Sequence, residues 1–359
     1  MSLHRLTLAQ FRSWSRLEFN LDQRPVALHG PNGSGKTNVL EAISMLSPGR
    51  GMRGTAPGDQ ARQGVGAGWR IRAEIGNQHI ETIAPPGGGR REVVIDDRQA
   101  TQVALGALIR VIWLTPAMDR IWTDAPEGRR RFLDRITLSF LPDHAGCSLA
   151  YDKAMRERNR LLRDQVTDPG WYRALEAQMA EAGANITRNR LSALQSIMTV
   201  QDDSTGFPVA RLKLLPGEGF ANDPSAADIA GRLVAMRPRD LAAGRSLTGP
   251  HRADLGASWG PQDMAASLSS TGEQKALLLS LMLANARALA DQPVLLLLDE
   301  VGAHLDSGRR AILYDQISAL PAQTLLTGTG PELFADFGNR ARRLSVFRRD
   351  GASGMTEEA

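Results

Sequence analysis

The 359-residue chain has a single cysteine, Cys147, only four lysines, and no apolar run longer than Val294–Leu298. A lone cysteine excludes an intramolecular disulfide and any multi-cysteine zinc site. It fits a reducing compartment and reads as a buried, inert thiol. The apolar runs fall far short of the roughly 18 residues that cross a membrane. Met1–Asn20 carries Arg5, Arg12 and Arg16 among its apolar residues and lacks the core of a signal peptide. The expectation is a soluble, cytoplasmic protein with no membrane role. An excess of one charge is also lacking: 43 basic against 39 acidic side chains leave +4, too little to argue for a nucleic-acid partner by itself. Hydrophobic residues are plentiful at 42%, enough for a substantial core in about two domains. So is arginine: beside Lys36, Lys153, Lys213 and Lys275 stand thirty-nine arginines. A GC-rich genome produces such a bias, and so does the use of planar, always-charged forks against phosphates.

The first 45 residues read as strand, turn, strand, loop and helix. Leu3–Leu8 and Leu17–Leu21 partly alternate, and Pro25–His29 runs into a glycine-rich turn followed by a helix from Thr37. Three further strands, Trp69–Ile75, His79–Ile83 and Arg91–Ile95, are separated by turn formers and read as a meander. Helical spacing marks Gly128–Phe140, Ala150–Asp164 and Trp171–Met198, without a sustained heptad. After a loose stretch, Pro216–Pro224, helix and buried strand return: Gly272–Ala290 is helical, Pro293–Leu298 is a buried strand and Gln323–Leu326 another. The tail beyond Gly351 is expected to fray. Trp122 and Trp171 are expected in the core.

Gly30-Pro31-Asn32-Gly33-Ser34-Gly35-Lys36-Thr37 is a complete P-loop, with a strand before it and a helix after it, and Asn38 follows inside the helix. Its glycines let backbone N–H groups curl toward phosphates, and the helix start adds the positive end of its dipole. Lys36 is expected to bridge the β- and γ-phosphates of ATP, with Thr37 on Mg2+. Asp299 and Glu300 end the apolar run; the first is suited to hold Mg2+ and the second to polarise water as general base. The expected catalytic residues are Lys36, Asp299 and Glu300. Upstream, Ser269-Ser270-Thr271-Gly272-Glu273 opens a helix and resembles the ABC signature, with Glu273 where glutamine is usual. Val301–Asp306 follows the acidic pair like a D-loop. In that arrangement Ser270 and Gly272 cap the nucleotide of a second subunit, which implies an ATP-dependent head-to-tail homodimer.

Five blocks in order extend the likeness over nearly the whole chain: Leu6–Trp14, Gly30–Ala42, Gly128-Arg129-Arg130-Arg131-Phe132-Leu133-Asp134, Leu247–Asp254 and the Ser270 signature. Together they resemble the bacterial RecF family. The resemblance implies an α/β ABC-type P-loop ATPase head assembled from N- and C-terminal segments, residues 1–125 and 246–359, with an inserted helical lobe at 126–245. It further implies a slow, weak, DNA-stimulated ATPase of recombinational repair. Such a protein closes on double-stranded DNA near gaps and acts with RecO and RecR to load RecA. Three positions depart from the pattern: Ala117-Met118 after Leu114-Thr115-Pro116, Gly302-Ala303-His304 in the D-loop, and Thr327-Gly328-Thr329 where a switch histidine is common.

For DNA contact, the window Arg120–Arg163 holds ten basic and six acidic residues, and Arg156, Arg160 and Arg163 share one helical face. A solvated charged face reads the same way. Arg129–Arg131 splay around a helix, with Asp134 as a possible ion-pair partner, and His251 and Arg252, after a Gly-Pro turn, could approach nucleotide or DNA but read first as a structural turn. Two other functions remain open at this level: a nucleotide-dependent scaffold for repair partners, and a transporter ATPase subunit. The helical insertion and the missing switch histidine count against the transporter.

Overall fold

The computed structural model describes residues 2–202, 206–220 and 222–358, with only the backbone of Ala303 and His304. In chain order the elements are β1 (Leu3–Phe11), β2 (Trp14–Asn20), β3 (Val26–His29), α1 (Lys36–Ser44), β4 (Trp69–Ile75), β5 (Gln78–Ala84), β6 (Glu92–Ile95), β7 (Arg98–Ala100), α2 (Gln102–Leu108) and β8 (Arg110–Leu114). There follow α3 (Pro126–Phe140), α4 (His144–Arg163), α5 (Pro169–Thr199), β9 (Ala210–Leu215), α6 (Ala226–Ala243), β10 (Asp254–Trp259) and β11 (Met264–Ala265). The chain ends with α7 (Thr271–Ala288), β12 (Val294–Leu298), α8 (Ser307–Ala319), β13 (Gln323–Gly328), β14 (Arg342–Arg349) and β15 (Ala352–Glu357).

Two compact units result. One is built from Met1–Asp119, Asp202–Pro208 and Ser270–Ala359, the other from Arg120–Gln201 and Val209–Ser269. The first contains two six-stranded sheets. In one, β2-β1-β4-β5-β6-β7, every pairing is antiparallel, and alternate residues such as Trp69, Ile71, Ala73 and Ile75 are buried, the pattern of a sheet with one covered face. In the other, β15-β14-β3-β13-β12-β8, the five strands β14 to β8 run parallel and only β15 is antiparallel. Parallel strands are covered on both faces, which explains why β12 is uninterrupted Val-Leu-Leu-Leu-Leu with all five residues buried. β13 lies between β3 and β12, so its end, Thr327, stands between the strand that leads into the P-loop and the strand that ends in Asp299.

The second unit combines α3–α6 with a three-stranded antiparallel sheet, β11-β10-β9. It is therefore not wholly helical. Residues 246–269, grouped from sequence with the ATPase segment, belong here because β10 pairs along its length with β9. Beside an apolar core that includes Tyr151, Met179, Ile186, Ile229 and Leu233, it buries an ion-pair cluster. Arg158, fully buried on α4, donates to Glu176 of α5 at 3.1 and 3.2 Å, to Asp240 of α6 at 2.7 Å, to Ser246 Oγ at 2.8 Å and to the Leu233 carbonyl at 3.2 Å. Arg237 adds a 2.6 Å bond to Glu176, and Asp240 also accepts from the Leu247 N–H. One guanidinium thus ties three helices together.

Other sequence expectations change here. The tail does not fray: β15 pairs with β14 from Glu357 to Ala352, and Ser353 N–H donates to Ser13 O at 2.9 Å. Its polar sequence hid this, because an edge strand need bury only one of two alternating faces. Trp122 is buried as expected, but Trp171 is 65% exposed at the start of α5, and packing there falls to Tyr172. Arg129 pairs with Asp254 through two 2.8 Å bonds rather than with Asp134, which is taken by Arg190 and His144. Cys147 is half-buried, and burial raises its thiol pKa, so it stays protonated and inert. His251 is structural: Nε2 donates to Ser246 O at 3.2 Å, which leaves Nδ1 to accept from Tyr151 O–H at 2.7 Å. Burial, the largest cause, pushes its pKa down to about 4.

Arg158→Met leaves buried Asp240 without its cation and Glu176 with Arg237 alone, and is expected to destabilise the chain by about 3–5 kcal/mol in a denaturant titration, with Arg158→Lys failing to restore it. His251 stays neutral in the fold but protonates in the unfolded chain below its ordinary pKa of 6.5. Its contribution is complete above that pH and lost as pH falls toward about 4, so the acid-side decline of the melting temperature is expected to be shallower in His251→Gln.

Candidate nucleotide site

The P-loop leaves β3 at His29 and enters α1 at Lys36, and its shape is set by what it packs against. Gly30 has φ +146°, and a Cβ there would lie 2.1 Å from the Val346 carbonyl of β14. Gly35, the N-cap of α1, has φ +113°, and a Cβ there would lie 2.4 Å from Ser353 Oγ and 2.8 Å from Ser13 Oγ. Glycine is required at both for space as well as conformation. Gly33, φ +79°, faces open space instead. α1 has no side-chain cap at its N-terminus, so its first N–H groups are available to an anion. The Ser34 hydroxyl is buried beside them without a partner.

Lys36 is almost wholly buried. Its ammonium donates to the carbonyls of Gly30 at 2.7 Å and Pro31 at 3.1 Å and lies 3.6 Å from Glu300 Oε1. Thr37 Oγ1 donates to Asp299 Oδ1 at 2.8 Å. The same carboxylate oxygen accepts from Thr327 Oγ1 at 2.7 Å, and Thr327 Oγ1 accepts in turn from the Glu300 N–H at 2.9 Å. That last bond holds Glu300 at φ +53°, a left-handed conformation rare for a side chain of this kind. Residues 262 apart in sequence, Thr37 and Asp299, thus meet at one oxygen.

Asn38 Nδ2 donates to Ser13 Oγ at 2.8 Å, and Trp14 Nε1 to the Gly35 carbonyl at 3.1 Å. Arg12 ties the β1–β2 turn to α1 through Glu41 at 2.5 and 2.9 Å, and Arg53 adds 3.0 and 3.1 Å bonds to Asn38 and Glu41. At the other end of α1, buried Arg91 donates to the carbonyls of Met45 and Ser47, cations being favoured at a helix C-terminus. Among the described residues it has no carboxylate partner, and burial lowers its pKa to about 10. Ser13, Ser353 and Arg91 escaped the sequence reading as site residues, because a lone serine or arginine far from a motif carries no local pattern. Thr327 was marked from sequence by its place where a switch histidine is common, and its hydroxyl donates to Asp299.

The donor set fits Mg-ATP: a buried ammonium, unpartnered N–H groups and an orphaned hydroxyl for phosphates, and one hydroxyl and one carboxylate oxygen for a hard cation. Among the described residues no group of three or more His, Cys, Asp or Glu side chains is placed to hold a metal, so a cation here would draw on Thr37, Asp299 and the oxygens of the nucleotide.

The remaining expected residues make no hydrogen bond or ion pair with this cluster among the described residues. Ser270 caps α7 in a reciprocal box with Glu273, and Gly272 faces open space. Lys275, buried in the same helix, is 3.6 Å from Asp119. The side chains of Ala303 and His304, in the D-loop-like turn, lie outside the described residues. Arg156, Arg160 and Arg163 are exposed on α4, with a 3.8 Å contact from Arg160 to Asp164.

A family described as an AAA domain matches residues 5–79. The chain is 43% identical over 365 residues to the DNA replication and repair protein RecF of Rhizobium meliloti, covering 96% of each. It is 41% identical over 375 residues to that of Mesorhizobium japonicum, covering 99% and 98%. Among solved structures it is similar to one described as the recombination mediator protein RecF-ATP in the RecFOR pathway, with TM-score 0.83, 20% identity and 99% of each chain covered. A second is an Smc head bound to the C-winged helix domain of ScpA, with TM-score 0.58, 17% identity and coverage of 100% and 98%. These likenesses show the fold, an α/β ABC-type ATPase head.

Thr327→Val is expected to lower the rate of ATP hydrolysis at least tenfold while changing ATP affinity much less, because the Asp299 carboxylate and the Glu300 backbone each lose a partner. Thr327→Ser, which keeps the hydroxyl, should recover most of the rate; steady-state hydrolysis with a nucleotide-binding titration checks both.

Proposed function

The chain belongs to the RecF family of DNA replication and repair proteins, and from that membership we propose that it is an ATP-dependent DNA-binding protein of recombinational repair. The observation that carries this reading is the meeting of Lys36, Thr37, Asp299 and Glu300 from both ends of the chain within hydrogen-bond or ion-pair reach of one another. Gly30 to Asn38 would cradle the phosphates, with Lys36 on the β- and γ-groups; Thr37 and Asp299 would hold Mg2+. When bound, the metal neutralises charge that develops on the transferred phosphoryl group.

Glu300 is the general base in this reading. Its carboxylate lies 3.6 Å from the Lys36 ammonium, and phosphates that engage Lys36 would release it to polarise water. Ser270 and Gly272, exposed at the start of α7, would complete the site of a second copy, their helix N-terminus turned to its γ-phosphate. ATP would thereby close a head-to-tail dimer on double-stranded DNA near gaps, and slow, DNA-stimulated hydrolysis would open it. RecR and RecO are the expected partners, with RecA loading as the outcome. The exposed row Arg156, Arg160 and Arg163 supplies phosphate contacts; the 3.8 Å pairing of Arg160 with Asp164 is too exposed to withhold it.

Glu300→Gln should bind ATP, hydrolyse it at least a hundredfold more slowly and accumulate as a dimer whose retention on duplex DNA exceeds that of wild type. Sedimentation with ATP, with and without duplex, is the measurement; a variant that stays monomeric under both conditions would sink the clamp reading.

A further inference from the structure

The second unit contains a cavity of about 320 Å3 that the nucleotide site does not use. It is lined by Arg232 and Arg239 of α6, Arg245 just beyond that helix, Thr248 and Arg252, with Glu218 as its one acidic residue. Arg232 and Arg245 have no ion pair and no side-chain hydrogen bond among the described residues. Glu218 reaches only Arg239, at 3.9 Å, with its side chain 80% exposed, so it neutralises little. Arg252 donates only to the Ser246 carbonyl, at 3.4 Å.

Two residues that line the cavity each bury a polar atom with no partner among the described residues, Thr248 Oγ1 and Arg232 Nε, and Thr248 as a whole is only 2% exposed. A protein seldom buries such groups unsatisfied, and both can donate. Gly219, φ +81°, packs against the Arg232 guanidinium, and a Cβ there would require the arginine to move. A cluster of forks with almost no counter-charge, beside a hydroxyl donor, matches the oxygens of a phosphate.

The surroundings favour a phosphate within a chain of phosphates. Gly244, next to Arg245, packs against the stem of Arg163, with a Cβ position 3.5 Å from its Cγ. Asn159 Oδ1 accepts from Ser246 N–H at 2.7 Å and from its hydroxyl at 2.8 Å, fixing this segment against α4. The rim of the cavity therefore continues into the row Arg163, Arg160 and Arg156, which spans about 10 Å at 1.5 Å per residue. We infer that this cavity seats one backbone phosphate of the bound nucleic acid and anchors the arginine row to it. The inference rests on the DNA-binding reading above and assigns it a specific anchor.

The test measures affinity for a blunt DNA duplex at two or more salt concentrations for wild type, Arg232→Gln and Thr248→Val, with the melting temperature of each free protein. Arg232→Gln should weaken binding about tenfold and reduce the slope of log affinity against log salt by about 1. Thr248→Val should weaken binding several-fold at an unchanged slope while its melting temperature holds or rises, since it removes an unpaired hydroxyl from the wall. A structural role for Thr248 would instead lower the melting temperature and leave binding alone. Wild-type affinity and slope in both variants overturn the inference. Inorganic pyrophosphate is titrated in parallel; P-loop binding is common to all three proteins and cancels in the comparison. Variants that bind pyrophosphate with lower stoichiometry than wild type but keep duplex binding overturn the nucleic-acid assignment. A poly-glutamate peptide that binds wild type better than the variants, where duplex does not, overturns it in favour of an acidic protein. If wild type binds no duplex with or without ATP, the DNA-binding reading itself fails.

Discussion

One carboxylate oxygen, Asp299 Oδ1, is the point on which the site depends. It accepts a hydroxyl from Thr37 at the start of α1 and another from Thr327 at the end of β13, at 2.8 and 2.7 Å. Thr327 then holds the backbone of Glu300 in a left-handed conformation. The P-loop helix and two parallel strand ends are thereby fixed to each other before any ligand is considered. The strand order makes this possible: with β13 between β3 and β12, its terminal hydroxyl falls where it can bridge them. Preorganisation of this kind matters because catalysis of phosphoryl transfer is largely positioning and electrostatics.

The abundance of arginine divides into two uses. Arg12, Arg91, Arg129, Arg158 and Arg190 are structural forks, each satisfying several acceptors in buried or half-buried places. Burying a guanidinium is tolerable only when its donors are nearly all matched, and its planar geometry allows that where a lysine would not. The two buried lysines, Lys36 and Lys275, each have a carboxylate at 3.6 Å. Others, among them those exposed on α4 and those lining the cavity beside α6, are not consumed in this way, and the proposed phosphate contacts draw on them. A net charge of +4 conceals this division, because structural pairs cancel in the sum wherever they lie.

The strands and helices of the first 45 residues, the β4–β6 meander, the long helices of the second unit, α7 and β12 were all legible, because each has a sustained apolar period or a motif at its boundary. β9, β10, β14 and β15 were not. β15 is Ala-Ser-Gly-Met-Thr-Glu, with no run of strand formers, and exists through its ladder with β14. The division of the chain also depended on an unread pairing: β10 joins β9, carrying residues 246–269 into the second unit. Trp171 was misplaced for a related reason, since helical spacing identifies a face but not the end at which packing stops.

Sequence alone picked out the residues of the candidate nucleotide site, because a P-loop is a local device: its glycines, lysine and threonine are consecutive, and the acidic pair is announced by the buried strand before it. It also determined the family, through five blocks in order. Tertiary structure decided what those residues touch. That Thr327 bridges Asp299 to Glu300, that Ser353 and Ser13 close over Gly35, and that Arg158 is spent inside the second unit while Arg232 is not, are matters of long-range contact. Single polar residues separated by tens to hundreds of positions leave no periodic trace, and only the folded chain brings their oxygens and nitrogens within hydrogen-bond reach.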